Sequence, residues 1–240
     1  MATETTTGSA KMIQEAAGSF LNGHAAMTII MWIKSNNTYI DRGFLHSHAS
    51  YAAGNDESIT ARYDASGASS GGTELIKFCI DATCKTNNGY ESASYVQTTA
   101  LQCLVMSWES GGQEELWIDG VLDTPGHRAA AYTGVTVNNT YCDMHRGGKD
   151  GSDAWDGVVY KMTIFNRKLS FNELRSIVTV EGQDTIKNGR ILEWQGDQGY
   201  PGQTVTGDVT DRSGNDQDGT PSGSPTFAED AIHTRRRRAA

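Results

Sequence analysis

Proline is scarce in this 240-residue chain, four in all, and cysteine is equally rare. Nowhere is there an apolar run long enough to cross a bilayer, and the first residues, Met-Ala-Thr-Glu-Thr-Thr-Thr-Gly-Ser-Ala, have neither a basic region nor an apolar core of the kind that directs secretion. A soluble protein made in the cytosol is expected. No Gly-x-Ser-x-Gly elbow is present, so the usual serine-nucleophile signature is missing. Four cysteines are too few to staple a chain of this length, which is long enough to bury a core unaided. Cys79 and Cys84 have hairpin spacing, whereas Cys103 and Cys142 lie in apolar runs; free, mostly buried thiols are expected.

What is abundant is glycine. Twenty-seven glycines, against an average usage of about 7%, fall between short apolar runs, as a many-stranded, turn-rich sheet protein requires. Strands are predicted at about 27–34, 43–47, 58–63, 74–80, 93–98, 101–108, 114–119, 133–137, 141–145, 156–165 and 190–195, with Pro225-Thr226-Phe227 as a last one. From Gly157 to Phe165 apolar and polar residues alternate with period two, giving a strand with one apolar face. Asn166 to Lys168 turn the chain. Ser170 with Glu173 three residues on reads as a capping box, and Leu174, Ile177 and Val178 follow at helical spacing.

The same residues carry a resemblance. Gly-x-Val-x-x-Met-x-Ile-Phe-Asn-Arg-x-Leu-Ser-x-x-Glu-Leu, from Gly157, resembles the closing motif of LamG-like domains in the concanavalin A-like lectin/glucanase superfamily. Glu115-Leu116-Trp117-Ile118-Asp119-Gly120 is similar to that family's strand ending in Asp-Gly, and Met27 to Lys34 to its early Trp-bearing strand. The stretch Leu192-Glu193-Trp194 through Thr220 resembles the opening of such a domain, here placed last. The resemblance implies an all-β, concanavalin A-like (LamG-type) jelly-roll sandwich of two antiparallel sheets with one short helix. Residues 11–228 are assigned to the sandwich, 1–10 to a flexible N-terminal arm and 229–240 to a basic tail.

Glucanases of this superfamily carry a Glu-x-Asp-x-x-Glu pattern, whose alternate residues bring two carboxyls over one cleft. This chain has none: Glu109, Glu114 and Glu115 flank a Gly-Gly turn, and Glu193 stands alone near Asp197. A non-enzymatic protein is expected. His46 and His48 share a strand face, but without a recognisable third ligand they read as ordinary histidines. Ca²⁺ is the cofactor to consider, through Asp211, Asn215, Asp216 and Asp218, although Asp and Asn beside Gly are equally what tight turns use. For a glycan, Trp155, Tyr39, Tyr51 and Tyr90 are candidates, being aromatics in or beside loops. Trp32, Trp108 and Trp117 sit in strands and read as packing.

The tail Arg235-Arg236-Arg237-Arg238 concentrates positive charge on an otherwise acidic body of net formal charge −9 overall. That acidity argues against nucleic acid, and the four guanidiniums are read as an anchor for an acidic surface on a neighbouring subunit. The resulting expectation is a non-enzymatic phage virion protein. Capsid decoration through contacts with capsid subunits or further copies of itself is the first role, and a glycan-binding adhesin or tail-fibre receptor-binding module is the alternative.

Overall fold

The structure is a computed structural model and describes residues 2–5, 12–15, 18–48, 57–66, 71–80, 89–124, 131–137, 139–145, 154–179, 186–195 and 199–228. In chain order the strands are β1 (Ala2–Thr5), β2 (Met12–Glu15), β3 (Ala26–Ser35), β4 (Arg42–His48), β5 (Glu57–Asp64), β6 (Leu75–Cys79), β7 (Tyr90–Glu91) and β8 (Gln102–Glu109). They continue with β9 (Glu115–Ile118), β10 (Val121–Leu122), β11 (Tyr141–Met144), β12 (Gly157–Phe165), β13 (Arg190–Gln195), β14 (Thr220–Ser222) and β15 (Thr226–Ala228); helix α1 (Phe171–Thr179) follows β12. Two antiparallel sheets result. The first runs β10-β9-β8-β3-β12-β1-β15, with β13 also on β12; the second runs β14-β2-β11-β4-β5-β6-β7.

Alternation along the strands divides each sheet into an inner and an outer face. Inner residues such as Ile29, Met31, Leu104, Met106, Met162 and Ile164 meet Phe44, Ile59, Phe78 and Cys142 of the second sheet in one core. The outer face of the first sheet is also apolar: Ile30, Trp32, Val105, Val158, Tyr160 and Phe165 lie beneath Leu174 and Ile177 of α1. β12 is therefore buried along its whole length, and the expectation of one apolar face on that strand is corrected to two covered faces. A bulge between Val159 and Lys161 places Lys161 outward beside Tyr160, where its Nζ sits 2.6 Å from Glu193. Arg190 donates to the same carboxylate. Burial pushes the Glu193 carboxyl up, but Lys161 and Arg190 together outweigh it and hold the group below its ordinary value.

The predicted capping box forms. The Ser170 N–H donates to Glu173 Oε2 at 2.9 Å and the Glu173 N–H to Ser170 Oγ at 3.4 Å. Hydrogen bonding from the Arg167 guanidinium, then from the Ser170 backbone, holds the Glu173 carboxyl down at about 2.

Several expectations are corrected. Ala2–Thr5 is a strand between β12 and β15, with Thr3 opposite both Val159 and Phe227, so it is built into a sheet and is not an arm. The segment after Gly189 completes the same sandwich through β13, β14 and β15. Residues 93–98 and 133–137 are not strands. Cys79 is disulfide-bonded, its partner lying outside the described residues, while Cys103 and Cys142 are free and buried. No described helix is long and apolar enough to cross a membrane.

Gly157 is where β12 must begin so close to β3 that a Cβ would stand 2.2 Å from the Lys34 carbonyl oxygen, at φ 157°. Gly157→Ala is expected to cost about 2–3 kcal/mol through overpacking against backbone that cannot yield, seen as a lowered urea midpoint with unchanged m-value. An unshifted midpoint would contradict the close approach.

Candidate functional site

The residues singled out from the sequence do not gather in one place. Trp155 is fully buried, edge-on to Phe44 at 5.3 Å and to Tyr63 at 5.0 Å. Tyr90 is equally buried, stacked on Phe78 at 4.9 Å with its hydroxyl donating to Asp123. Neither ring has a face free for a sugar, so both are corrected from glycan candidates to core residues. Trp32 and Trp108 are packing residues as expected. Tyr51 and Arg235, Arg236, Arg237 and Arg238 lie outside the described residues. Tyr39 remains, 60% exposed.

The Asp211–Asp218 loop is organised by hydrogen bonds. Asp211 Oδ1 accepts from the Glu193 and Ser213 N–H groups, and Oδ2 from Ser213 Oγ and the Gln217 N–H. Asp218 Oδ1 accepts the Asp211 N–H at 2.7 Å, and the Asn215 amide donates to the Arg190 carbonyl and Ser213 Oγ. Asp216 turns the chain at φ 57°. A carboxylate engaged by four donors is a turn staple, and the arrangement does not fit the six to eight oxygens that Ca²⁺ takes. Among the described residues no group of three His, Cys, Asp or Glu is placed to hold a metal ion.

Exposed aromatic surface instead appears at the end of the sandwich where the β3–β4, β5–β6 and β7–β8 connections meet. Gln97, buried, ties two of them: its Oε1 accepts the Ile40 N–H at 3.1 Å, and its Nε2 donates to the Ile40 carbonyl at 3.2 Å. Asp41 Oδ1 accepts the Ala65 N–H at 2.7 Å, and the Tyr95 N–H donates to the Thr73 carbonyl at 3.0 Å. Asn36 and Asn37 both donate to Asp156, fixing the near side of the β3–β4 turn. On this frame stand Tyr39 and Tyr95, the latter 76% exposed. Both have left-handed backbone, φ 55° and φ 64°, a conformation that costs a bulky L-residue about 1–2 kcal/mol. Sequence reading missed Tyr95 because Ser-Tyr-Val-Gln scans as a strand; the Ala93-Ser94 pair before it was the turn signal.

Next to this rim, the outer face of the second sheet is polar. Asp64 bridges Arg62 at 2.9 Å and Lys77 at 2.8 Å, and Lys77 reaches Glu91 at 3.2 Å. Farther along the sheet His46 stacks on His48 at 4.8 Å, and His48 Nε2 lies 3.4 Å from Asp143. The second sheet thus differs from the first, whose outer face is apolar and closed by α1.

His145, just beyond β11, is fully buried, and burial lowers its pKa to about 3. The unfolded chain takes up a proton near pH 6.5 that the folded chain refuses until about pH 3, so stability is lost as pH falls through this window. Between pH 6.5 and pH 5 the loss is expected to be about 2 kcal/mol. His145→Asn, which tolerates the φ of 66°, should flatten that part of the profile in urea titrations. An unchanged slope would show that His145 is not the group responsible.

Two antiparallel sheets packed face to face, with a helix closing the outer face of the first, define a lectin-like jelly-roll sandwich. The Laminin_G_3 family model, described as concanavalin A-like lectin/glucanases superfamily, matches residues 6–175, and the chain belongs to that superfamily. No curated protein matches it. Among solved structures it is similar to a candidate carbohydrate binding protein from Bacteroides ovatus, with TM-score 0.64 and 13% identity over 96% of this chain and 60% of that one. It is also similar to a heptameric SAP-like pentraxin from Limulus polyphemus, with TM-score 0.55 and 10% identity over 75% and 81%. At such identities the likeness is one of fold, and this chain spans 60% of the length of the Bacteroides protein.

Proposed function

We propose that this domain is a non-enzymatic carbohydrate-binding module that holds its ligand at the loop rim between Tyr39 and Tyr95. The observation that carries the reading is that both side chains are exposed and both are kept at a backbone conformation that glycine would adopt at lower cost. An exposed ring contributes little to folding, so strain retained beneath it points to use of the ring. Stacking on the apolar face of a pyranose is such a use, with the amides and hydroxyls of the loops supplying hydrogen bonds.

Membership of a lectin/glucanase superfamily and the fold shared with the Bacteroides ovatus protein support this reading. So does the disulfide at Cys79, since disulfides persist in oxidising surroundings, where extracellular glycans are met. A capsid-decoration role draws on Arg235 to Arg238, outside the described residues, and loses its N-terminal arm to the first sheet. A receptor-binding module on a phage particle is one setting in which the glycan reading would operate. Screening the whole chain on a glycan array tests it: dose-dependent binding that falls in a Tyr39→Ala, Tyr95→Ala double variant is expected. Binding that survives the double substitution unchanged would move the site elsewhere.

A further inference from the structure

We infer that Asn188 is a site of spontaneous modification: in the folded chain its side-chain amide is lost to attack by the Gly189 nitrogen, which leaves aspartate or isoaspartate in the turn before β13. Asn-Gly occurs at Asn22-Gly23, Asn88-Gly89 and Asn188-Gly189. Glycine favours the attack, having no Cβ to obstruct its nitrogen and little conformational preference to resist the approach. Asn88 lies outside the described residues, and the other two asparagines are held in opposite ways. Asn22 is locked. Its Oδ1 accepts the Asn139 N–H at 3.0 Å and Asn139 Nδ2 at 2.9 Å, and its Nδ2 donates to the Asn139 carbonyl at 3.0 Å. The Gly23 N–H donates to the Thr136 carbonyl at 2.7 Å, so neither the side-chain carbon nor the nitrogen can swing toward the other.

At Asn188 both groups can move. The residue is exposed, and among the described residues nothing bonds its side chain or accepts the Gly189 N–H. The Arg190 N–H closes the turn on the Lys187 carbonyl at 3.1 Å, with Gly189 at φ 76°, the type II pattern, whose closing bond does not use the N–H of the third residue. Arg167 Nε donates to the Asn188 carbonyl oxygen at 2.8 Å. That oxygen takes up the charge when the Gly189 nitrogen gives its proton to hydroxide, so a guanidinium beside it favours the nucleophile. The nitrogen then bonds to Asn188 Cγ, and the side-chain NH2 takes a proton from water and leaves as ammonia. Water adds across either C–N bond of the resulting succinimide, giving aspartate or isoaspartate without any redox change. The carboxylate forms next to Lys187 and on the residue whose carbonyl Arg167 holds. Isoaspartate also adds a methylene to a main chain pinned at two places, Arg190 N–H to Lys187 and Asn166 N–H to the Gly189 carbonyl at 2.8 Å.

The test incubates the full chain at mildly alkaline pH, folded in buffer or unfolded in guanidinium chloride, and digests samples over time. Mass spectrometry follows the conversion of amide to acid in the peptides bearing Asn22, Asn88 and Asn188 separately, and isoaspartate is read from its distinct elution. Comparing each site with itself removes the influence of neighbouring residues on the intrinsic rate. Folding is expected to change the rate at Asn188 by less than about threefold and to slow Asn22 by at least about tenfold. A larger slowing at Asn188 would overturn the inference, because the turn would then protect the amide. Conversion of Asn22 in the folded chain at its unfolded rate would overturn it as well, since the bonds described would not be what separates the two sites.

Discussion

Tyr39→Ala and Tyr95→Ala should each weaken glycan binding about tenfold or more, the equivalent of about 1.4 kcal/mol or above, without unfolding the domain. The two side chains stand 60% and 76% exposed, so truncation uncovers no core. The loops beneath them are held by bonds the substitutions leave alone, the Gln97–Ile40 pair and the Tyr95 N–H to Thr73. Glycine sharpens the experiment. At φ 55° and 64° it relieves about 1–2 kcal/mol of strain and returns about 0.5–1 kcal/mol as chain entropy. Tyr39→Gly should therefore melt at the wild-type temperature or about 2 °C above it while binding less. Calorimetric titration and melting on the same samples check both halves. A variant that loses stability and keeps affinity would make these tyrosines structural.

Trp155→Ala should do the reverse. Removing a large ring from the cage of Phe44 and Tyr63 costs about 3–5 kcal/mol in lost burial and cavity formation. That is a large part of the about 5–15 kcal/mol by which domains are stable. In a domain of this size the melting temperature should fall by about 10 °C or more. Affinity per folded molecule should be nearly unchanged, because the ring never meets solvent. Loss of affinity in material shown by calorimetry to be fully folded would reinstate Trp155 as a contact residue.

Local signals were the legible ones. The β12–α1 unit could be read because its alternation, turn and capping box are all set within some twenty neighbouring residues. β1, β2 and β14 could not, since strands of three or four residues in largely polar sequence exist only by virtue of partners far along the chain. Residues 133–137 are rich in β-branched side chains yet serve as a buttress. Thr136 exchanges backbone bonds with Gly23 and His24, and its hydroxyl donates to the Leu21 carbonyl. The site divides similarly. Tyr39 and Trp155 have the same local signature, an aromatic beside a polar turn, and only Phe44 and Tyr63, which close over one of them, tell them apart. His145 gave no signal at all, since its burial depends on packing from other strands.

The position of β1 bears on how the chain acquires its shape. Ala2–Thr5 pairs with Gly157–Val159 on one side and with Thr226–Ala228 on the other, so the first strand of the sandwich in chain order must wait for partners far along the sequence. Contacts of such sequence separation carry a high loop-closure cost and slow folding. The first sheet should therefore close late around β1, after β3, β8 and β12 have assembled. Because Ala2 ends opposite Ala228, the two ends of the sandwich lie side by side, a geometry suited to circular permutation and to insertion as a unit within a longer polypeptide.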